Sequence, residues 1–281
     1  MFILDTSVLR GISRSDLVSV CQRFDVAIST LTVLELASHL GDDSSGSGYL
    51  RMRGNFLKCK HPRILDDPFW SLASTTNLKP NPTRGEDRLI LAQLIDAVEQ
   101  SETLTELSSR KITYPDGQAV SCNDLGVRVS AILQDEEMRY VEGIESLGAR
   151  TDGRLITANV LCEEILYVAN KLVSPDDAES KGYAFLAMAP YIGYMLSRLS
   201  YYESLRASDD QIMRVDRNDC EDAYIALHLD FAKNNTLVTN DKGTIRALTE
   251  VRALLSEYLS VEIGQGYIMT GDEFKQYVAS N

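Results

Sequence analysis

Apolar and polar positions along this chain fall into blocks that read as strand, helix, strand, helix. Residues 1–4 form a continuous apolar run that stops at Asp5, the pattern of a buried strand in a parallel sheet. Ser13 or Ser15, with Asp16, can cap a helix through about Arg23. Residues 25–29 predict a second strand, after which Thr30 or Thr32 caps a helix ending at Gly41. Within it Val33, Leu36, Ala37 and Leu40 keep the i, i+3, i+4, i+7 spacing. Glu35 is thereby placed on the opposite, polar side with Thr32, Ser38 and His39. Such alternation points to an α/β sheet with right-handed crossovers.

The periodicity then changes. Residues 41–48 read as a flexible polar loop and residues 66–85, with Pro68, Pro80 and Pro82, as irregular. Residues 86–100 predict a helix, and residues 111–120 a hairpin turning at Pro115, Asp116 and Gly117. From 123 to 206 the pattern is mainly helical, with breaks near 148–153 and at Ser174-Pro175. Strand and helix signals resume near Ile212: helix 218–233, strand 236–239, helix 244–258, strand 261–263 and a last helix from Asp272. The two ends, residues 1–45 and 206–281, thus read as halves of one parallel-sheet domain. Residues 46–205 read as a mainly helical insertion.

One position breaks the pattern. On a wheel of about 100° per residue, Asp222 falls among Ile225, Ala226 and Leu229, so an aspartate heads an apolar stripe. A carboxylate there is costly unless a partner or an open site receives it.

Composition limits the choices. The chain has 281 residues, 44% of them hydrophobic, enough for a sizeable core in one large domain or two small ones. A formal charge of -13 argues against a broad electrostatic nucleic-acid binder, while leaving room for a local basic strip. The cysteines Cys21, Cys59, Cys122, Cys162 and Cys220 form no C-x-x-C pair and read as buried thiols of a reducing compartment. The N-terminal apolar run meets Asp5 too early for a signal-peptide core, and residues 184–196 are too short to span a bilayer. A soluble, cytoplasmic protein is expected.

The carboxylates carry the candidate chemistry. Asp5 and Asp241 each follow a predicted strand, and ligands of open α/β sheets bind at the carboxyl ends of strands. Asp219 and Asp222 lie one helical turn apart, and Glu35 sits on a helix entered from the second strand. Acids converging in this way repel one another unless a hard cation takes up the charge. Mg²⁺ or Mn²⁺ suits oxygen ligands, and such an ion can activate water for phosphodiester cleavage. Each residue also has a plainer use: Asp5 and Asp241 as turn or helix caps, Asp219 as an N-cap shared with Asn218, and Glu35 as a solvated surface acid.

Taken in order, four stretches resemble the PIN-domain ribonucleases, the family that includes VapC-like toxins. They are Ile3-Leu4-Asp5-Thr6-Ser7, residues 29–36 ending Leu34-Glu35-Leu36, Asp219-x-x-Asp222-Ala223-x-Ile225-Ala226, and Leu237-Val238-Thr239-Asn240-Asp241. The tail from Ile268 to Phe274 is similar to the family's last strand and helix. The resemblance covers roughly residues 1–45 and 205–281 and implies a PIN-like parallel β-sheet flanked by helices. It implies Asp5, Glu35, Asp222 and Asp241 as catalytic, metal-binding acids and Asp219 as an additional metal-binding acid. Thr6, Ser7 and Thr239 would support them by hydrogen bonding. The implied cofactor is Mg²⁺ or Mn²⁺, and the implied reaction is endonucleolytic hydrolysis of RNA, with DNA the other candidate polymer. The implied partners are an inhibitor or antitoxin protein and a second copy of the chain, with no membrane among them. The middle region departs from the family, being far longer than its usual helical hairpin.

Around this set, Arg51, Arg53, Lys58, Lys60, His61 and Arg63 fall in one stretch without an acid. The five Arg and Lys residues, with Lys242 and Arg246, are candidate nucleic-acid contacts; a solvated charged face is the plainer reading. Tyr194, Tyr201 and Tyr202 could stack bases but read better as helix packing. His39, His61 and His228 have no zinc-ligand spacing with cysteines. A non-catalytic RNA- or protein-binding module on the same scaffold is the alternative, and an eroded acidic set would be its mark. A haloacid-dehalogenase-type phosphatase would need an acid where Ser7 stands, and Gly-rich phosphate loops are absent.

Overall fold

The computed structural model describes residues 1–42, 45–66, 84–152, 156–173, 177–209, 215–216, 218–229, 231, 234–260, 263 and 268–281. These residues form two compact units, one from Met1 to Asp135 and the other from Glu136 to Asn281.

The first unit begins with β1 (Phe2–Leu4), α1 (Thr6–Gly11), α2 (Arg14–Arg23), β2 (Val26–Ile28) and α3 (Thr30–Ser38). It continues with α4 (Gly46–Phe56), β3 (Arg63–Ile64), α5 (Arg84–Glu99), α6 (Leu104–Ser109), β4 (Lys111–Thr113) and β5 (Ala119–Ser121). β1 pairs in parallel with β2, setting Leu4 against Ile28, and β2 in parallel with β3, setting Ala27 against Arg63. β1 and β2 are short but sit where Ile3, Leu4, Ala27 and Ile28 lose all contact with water. That burial is why their residues are apolar at every position rather than at every second one.

The α/β class expected from the pattern is therefore present, with refinements. Ser29, not Thr30 or Thr32, caps α3, its hydroxyl accepting from the Leu31 amide at 3.2 Å. Thr30 instead donates to the Leu65 carbonyl, tying the start of α3 to the end of β3. β3 lies inside the stretch expected to be an insertion, so the parallel strands run on past residue 45. Ser45 caps α4 through the Gly48 amide, so a helix begins within the expected loop. β4 and β5 form the predicted hairpin, and Gly117 takes φ +86° in its turn, a conformation glycine adopts without penalty.

The second unit contains most of α7 (Cys122–Thr151), then α8 (Ala158–Leu172), α9 (Ala178–Asp209) and α10 (Asp219–Ala226). β6 (Thr236–Val238), α11 (Lys242–Leu259), β7 (Ile268–Met269) and α12 (Gly271–Ser280) complete it. β6 and β7 are parallel, with Leu237 opposite Ile268. The long helix α9 packs on α8, α10 and α11. Its approach to α11 is close at Gly193, where a Cβ would lie 2.4 Å from a Val251 methyl.

One expectation is met here and one changes. α7 ends at Thr151 and Asp152 takes φ +47°, so the break expected near 148–153 is present. The helix expected over 218–233 ends at Ala226, because the amides of Leu227, His228 and Leu229 turn to carbonyls three residues back. Of the strand expected at 261–263, residues 261–262 lie outside the described residues, as do Ser174-Pro175 and most of 66–85. Among the described residues no helix is long and apolar enough to cross a membrane. All five cysteines are free thiols, four of them buried.

Candidate functional site

The first unit holds Asp5 and Glu35. β1 delivers Asp5 to the start of α1, where it is buried and caps the helix. Its Oδ1 accepts from the Thr6 amide at 2.7 Å and its Oδ2 from the Ser7 hydroxyl at 2.7 Å. The Thr6 hydroxyl in turn donates to Glu35 Oε2, so both acids rest on one threonine. Arg10 approaches Glu35 Oε1 at 3.3 Å from the last turn of α1. Thr32, expected to share Glu35's polar side, is buried, and its hydroxyl has no hydrogen-bond partner among the described residues.

The second unit holds Asp219, Asp222 and Asp241. Ile225, Ala226 and Leu229 are buried, but so is every residue from Ala223 to Leu229, so burial marks no single face; Asp222 ahead of them is half-buried. Asp222 Oδ2 accepts from the Thr244 hydroxyl at 2.7 Å and lies 3.3 Å from the Tyr194 hydroxyl. Asp241 follows β6 and caps α11, its Oδ1 accepting from the Thr244 amide at 2.7 Å. Its own amide donates to Thr239 Oγ1 at 3.1 Å. Thr244 therefore engages both Asp222 and Asp241.

Asp219 is treated differently. It is the first residue of α10 rather than its N-cap, and its carboxylate is buried. Arg198 Nε donates to Oδ2 at 2.6 Å, the Tyr202 hydroxyl donates to the same oxygen, and the Tyr194 hydroxyl reaches Oδ1 at 3.3 Å. Burial, with Asp222 and Asp219 nearby, pushes the Tyr194 hydroxyl far above its ordinary range. Burial and the bond to Asp219 raise Tyr202 as well, so both phenols stay protonated and donate. Burial opposes the Arg198 charge, but the Asp219 carboxylate more than offsets it and holds the guanidinium above its usual range.

The basic stretch is largely committed to structure. Lys58 is buried and donates to the Leu9 and Arg10 carbonyls at 3.0 and 2.8 Å, satisfying the end of α1. Arg53 donates to the Val98 and Glu99 carbonyls at the end of α5, Lys60 pairs with Glu99, and Arg63 pairs with Asp25. Arg51, Lys242 and Arg246 are exposed. Of the histidines, His228 is buried and burial pushes it down to about 4, which keeps it neutral.

Three donors went unread in the sequence, Arg10, Arg198 and Thr244. Arg198 had a faint signal: Tyr194, Arg198 and Tyr202 recur at i, i+4 and i+8 on one helix face. Tyr194 and Tyr202 are buried, as helix packing predicts, and Tyr201 is exposed with Arg198 4.6 Å from its ring centroid.

Among the described residues no group of three or more His, Cys, Asp or Glu side chains stands together as a metal cage. Mg²⁺ and Mn²⁺ do not demand one, since one or two carboxylates plus water and phosphate oxygens suffice for such ions. Asp222 and Asp241, joined through Thr244, fit that smaller requirement. No protein-family model, curated protein or solved structure matches the chain.

Proposed function

We propose that the protein is a Mg²⁺- or Mn²⁺-dependent ribonuclease that hydrolyses RNA phosphodiester bonds, with Asp5, Glu35, Asp222 and Asp241 as its catalytic carboxylates. The observation that carries this is the pairing of Asp222 and Asp241 on Thr244, two acids from separate elements bonded to one threonine. A bound divalent ion would supply water activation and charge neutralisation at the phosphate. The chain's own part is orientation. Thr244 fixes Asp222, Thr239 fixes the Asp241 backbone, and Thr6 and Ser7 do the same for Glu35 and Asp5. Exposed Lys242 and Arg246, in the first turns of α11, add positive charge beside Asp241 for a polyanion. Arg51 is a third exposed candidate for that role.

The test is digestion of defined single-stranded and structured RNAs with Mn²⁺, wild type against Asp222→Asn. Cleavage should require the ion, stop on chelation, and fall by roughly three orders of magnitude in the variant, the rate equivalent of several kcal/mol. Cleavage that survives both chelator and substitution defeats the proposal.

A second reading, a non-catalytic RNA- or protein-binding module, is favoured by the lack of a group of three acids among the described residues. The capping roles of Asp5 and Asp241 point the same way. That module would bind RNA or a protein without cutting, and the same digest separates the two.

A further inference from the structure

We propose, on the footing that the site is metal-dependent, that Arg198 withholds Asp219 from the metal, leaving Asp222 and Asp241 as the acids this half of the chain offers to a divalent cation. Sequence resemblance counts Asp219 among the metal-binding acids, but the structure gives its carboxylate to other partners. Arg198 Nε and the Tyr202 hydroxyl occupy Oδ2, and the Tyr194 hydroxyl is directed at Oδ1. The charge a second cation would neutralise is already neutralised by a cation of the chain itself.

The guanidinium is fixed as well as charged. It lies 4.6 Å from the Tyr201 ring centroid and 5.3 Å from that of Tyr202. Its far end meets the first turn of α11 at Gly243: a Cβ built there would lie 3.3 Å from Arg198 Nη1 and 3.0 Å from Asp241 Oδ1. Arg198 thus stands between Asp219, which it holds, and the Asp241 end of α11. Tyr194, shared by Asp219 and Asp222, links the withheld acid to the offered one. Arg198 acts here as a positioning residue that sets how many carboxylates face the metal, and it comes from α9, outside the stretches that carry the family resemblance.

Mn²⁺ binding to the full-length chain, followed by isothermal titration and by the electron paramagnetic resonance of unbound Mn²⁺, tests this without reference to activity. Asp219→Asn, which keeps the side-chain volume and an acceptor, should bind Mn²⁺ as wild type does. Asp222→Asn should weaken binding about tenfold or more, at least the loss typical of disturbing a ligand's support. Arg198→Gln should gain affinity or one further bound ion, and the double variant Arg198→Gln/Asp219→Asn should lose that gain. Weaker Mn²⁺ binding in Asp219→Asn overturns the proposal while the metal-dependent reading stands. Binding in Arg198→Gln that is unchanged or weaker, in a protein whose circular dichroism matches wild type, overturns it too. A wild-type chain that binds no Mn²⁺ overturns both.

Discussion

The two acidic groups solve one electrostatic problem with different means. In the first unit Asp5 is held within its own turn by the Thr6 amide and Ser7 hydroxyl, while Glu35 on α3 takes the Thr6 hydroxyl and the exposed Arg10 from α1. In the second unit the cation is Arg198, drawn from a separate long helix, together with two buried tyrosines. The Arg10 side chain is 39% exposed and that of Arg198 16%. An ion pair at the rim exchanges readily with water and contributes little, whereas breaking a buried pair strands a charge. The first group should therefore tolerate loss of a partner and the second should not.

The sharpest way to break this contrast is Asp219→Ala against Glu35→Gln, measured by chemical denaturation. Asp219→Ala leaves the Arg198 guanidinium buried without its carboxylate and should destabilise by about 3 kcal/mol. Glu35→Gln should cost under about 1 kcal/mol, because Arg10 returns to water. Equal losses would mean that burial does not separate the two groups.

Gly193→Ala sharpens the comparison from the packing side. The added methyl meets Val251 and must push α9 from α11, moving Tyr194, the next residue, with it. A loss of about 2 kcal/mol is expected, in the range of overpacked cores. Gly148→Ala is the control, since its methyl would only reach ordinary contact with Leu199 at 3.4 Å.

The smaller test returns to the first unit. Lys58→Met removes the ammonium from the Leu9 and Arg10 carbonyls and should cost about 1.5 kcal/mol, the scale of a charged hydrogen bond. It should leave RNA affinity at the wild-type level, and a large fall in affinity with unchanged stability would restore Lys58 to a nucleic-acid face.

Much of the frame was legible in the chain. Residues 1–4 and 25–29 read as strands, and the strands at 2–4 and 26–28 lie inside them, because burial on both faces demands apolar side chains throughout. Asp222 was legible because its position on a helix is fixed by 3.6-residue geometry, and an acid at the head of an apolar stripe needs a cause. The capping uses of Asp5 and Asp241 were legible too, since a cap bonds amides within a turn of itself. The early end of α10 was not, because the switch to three-residue bonds at Leu227 to Leu229 leaves the apolar pattern unchanged. Nor was the fate of Lys58, whose partners Leu9 and Arg10 lie far back in the chain.

What the sequence determined by itself is therefore what short range governs: the strands and helices at the two ends, the caps at Asp5, Ser13 and Asp241, and the list of carboxylates with their order. Tertiary structure alone decided which of those carboxylates meets a cation. Nothing near Asp219 in the chain names Arg198, because a guanidinium on a long side chain can serve any acid its helix is packed beside. That choice was made by the packing of α9 against α10 and α11, and it sets Asp219 apart from Asp222 one turn away.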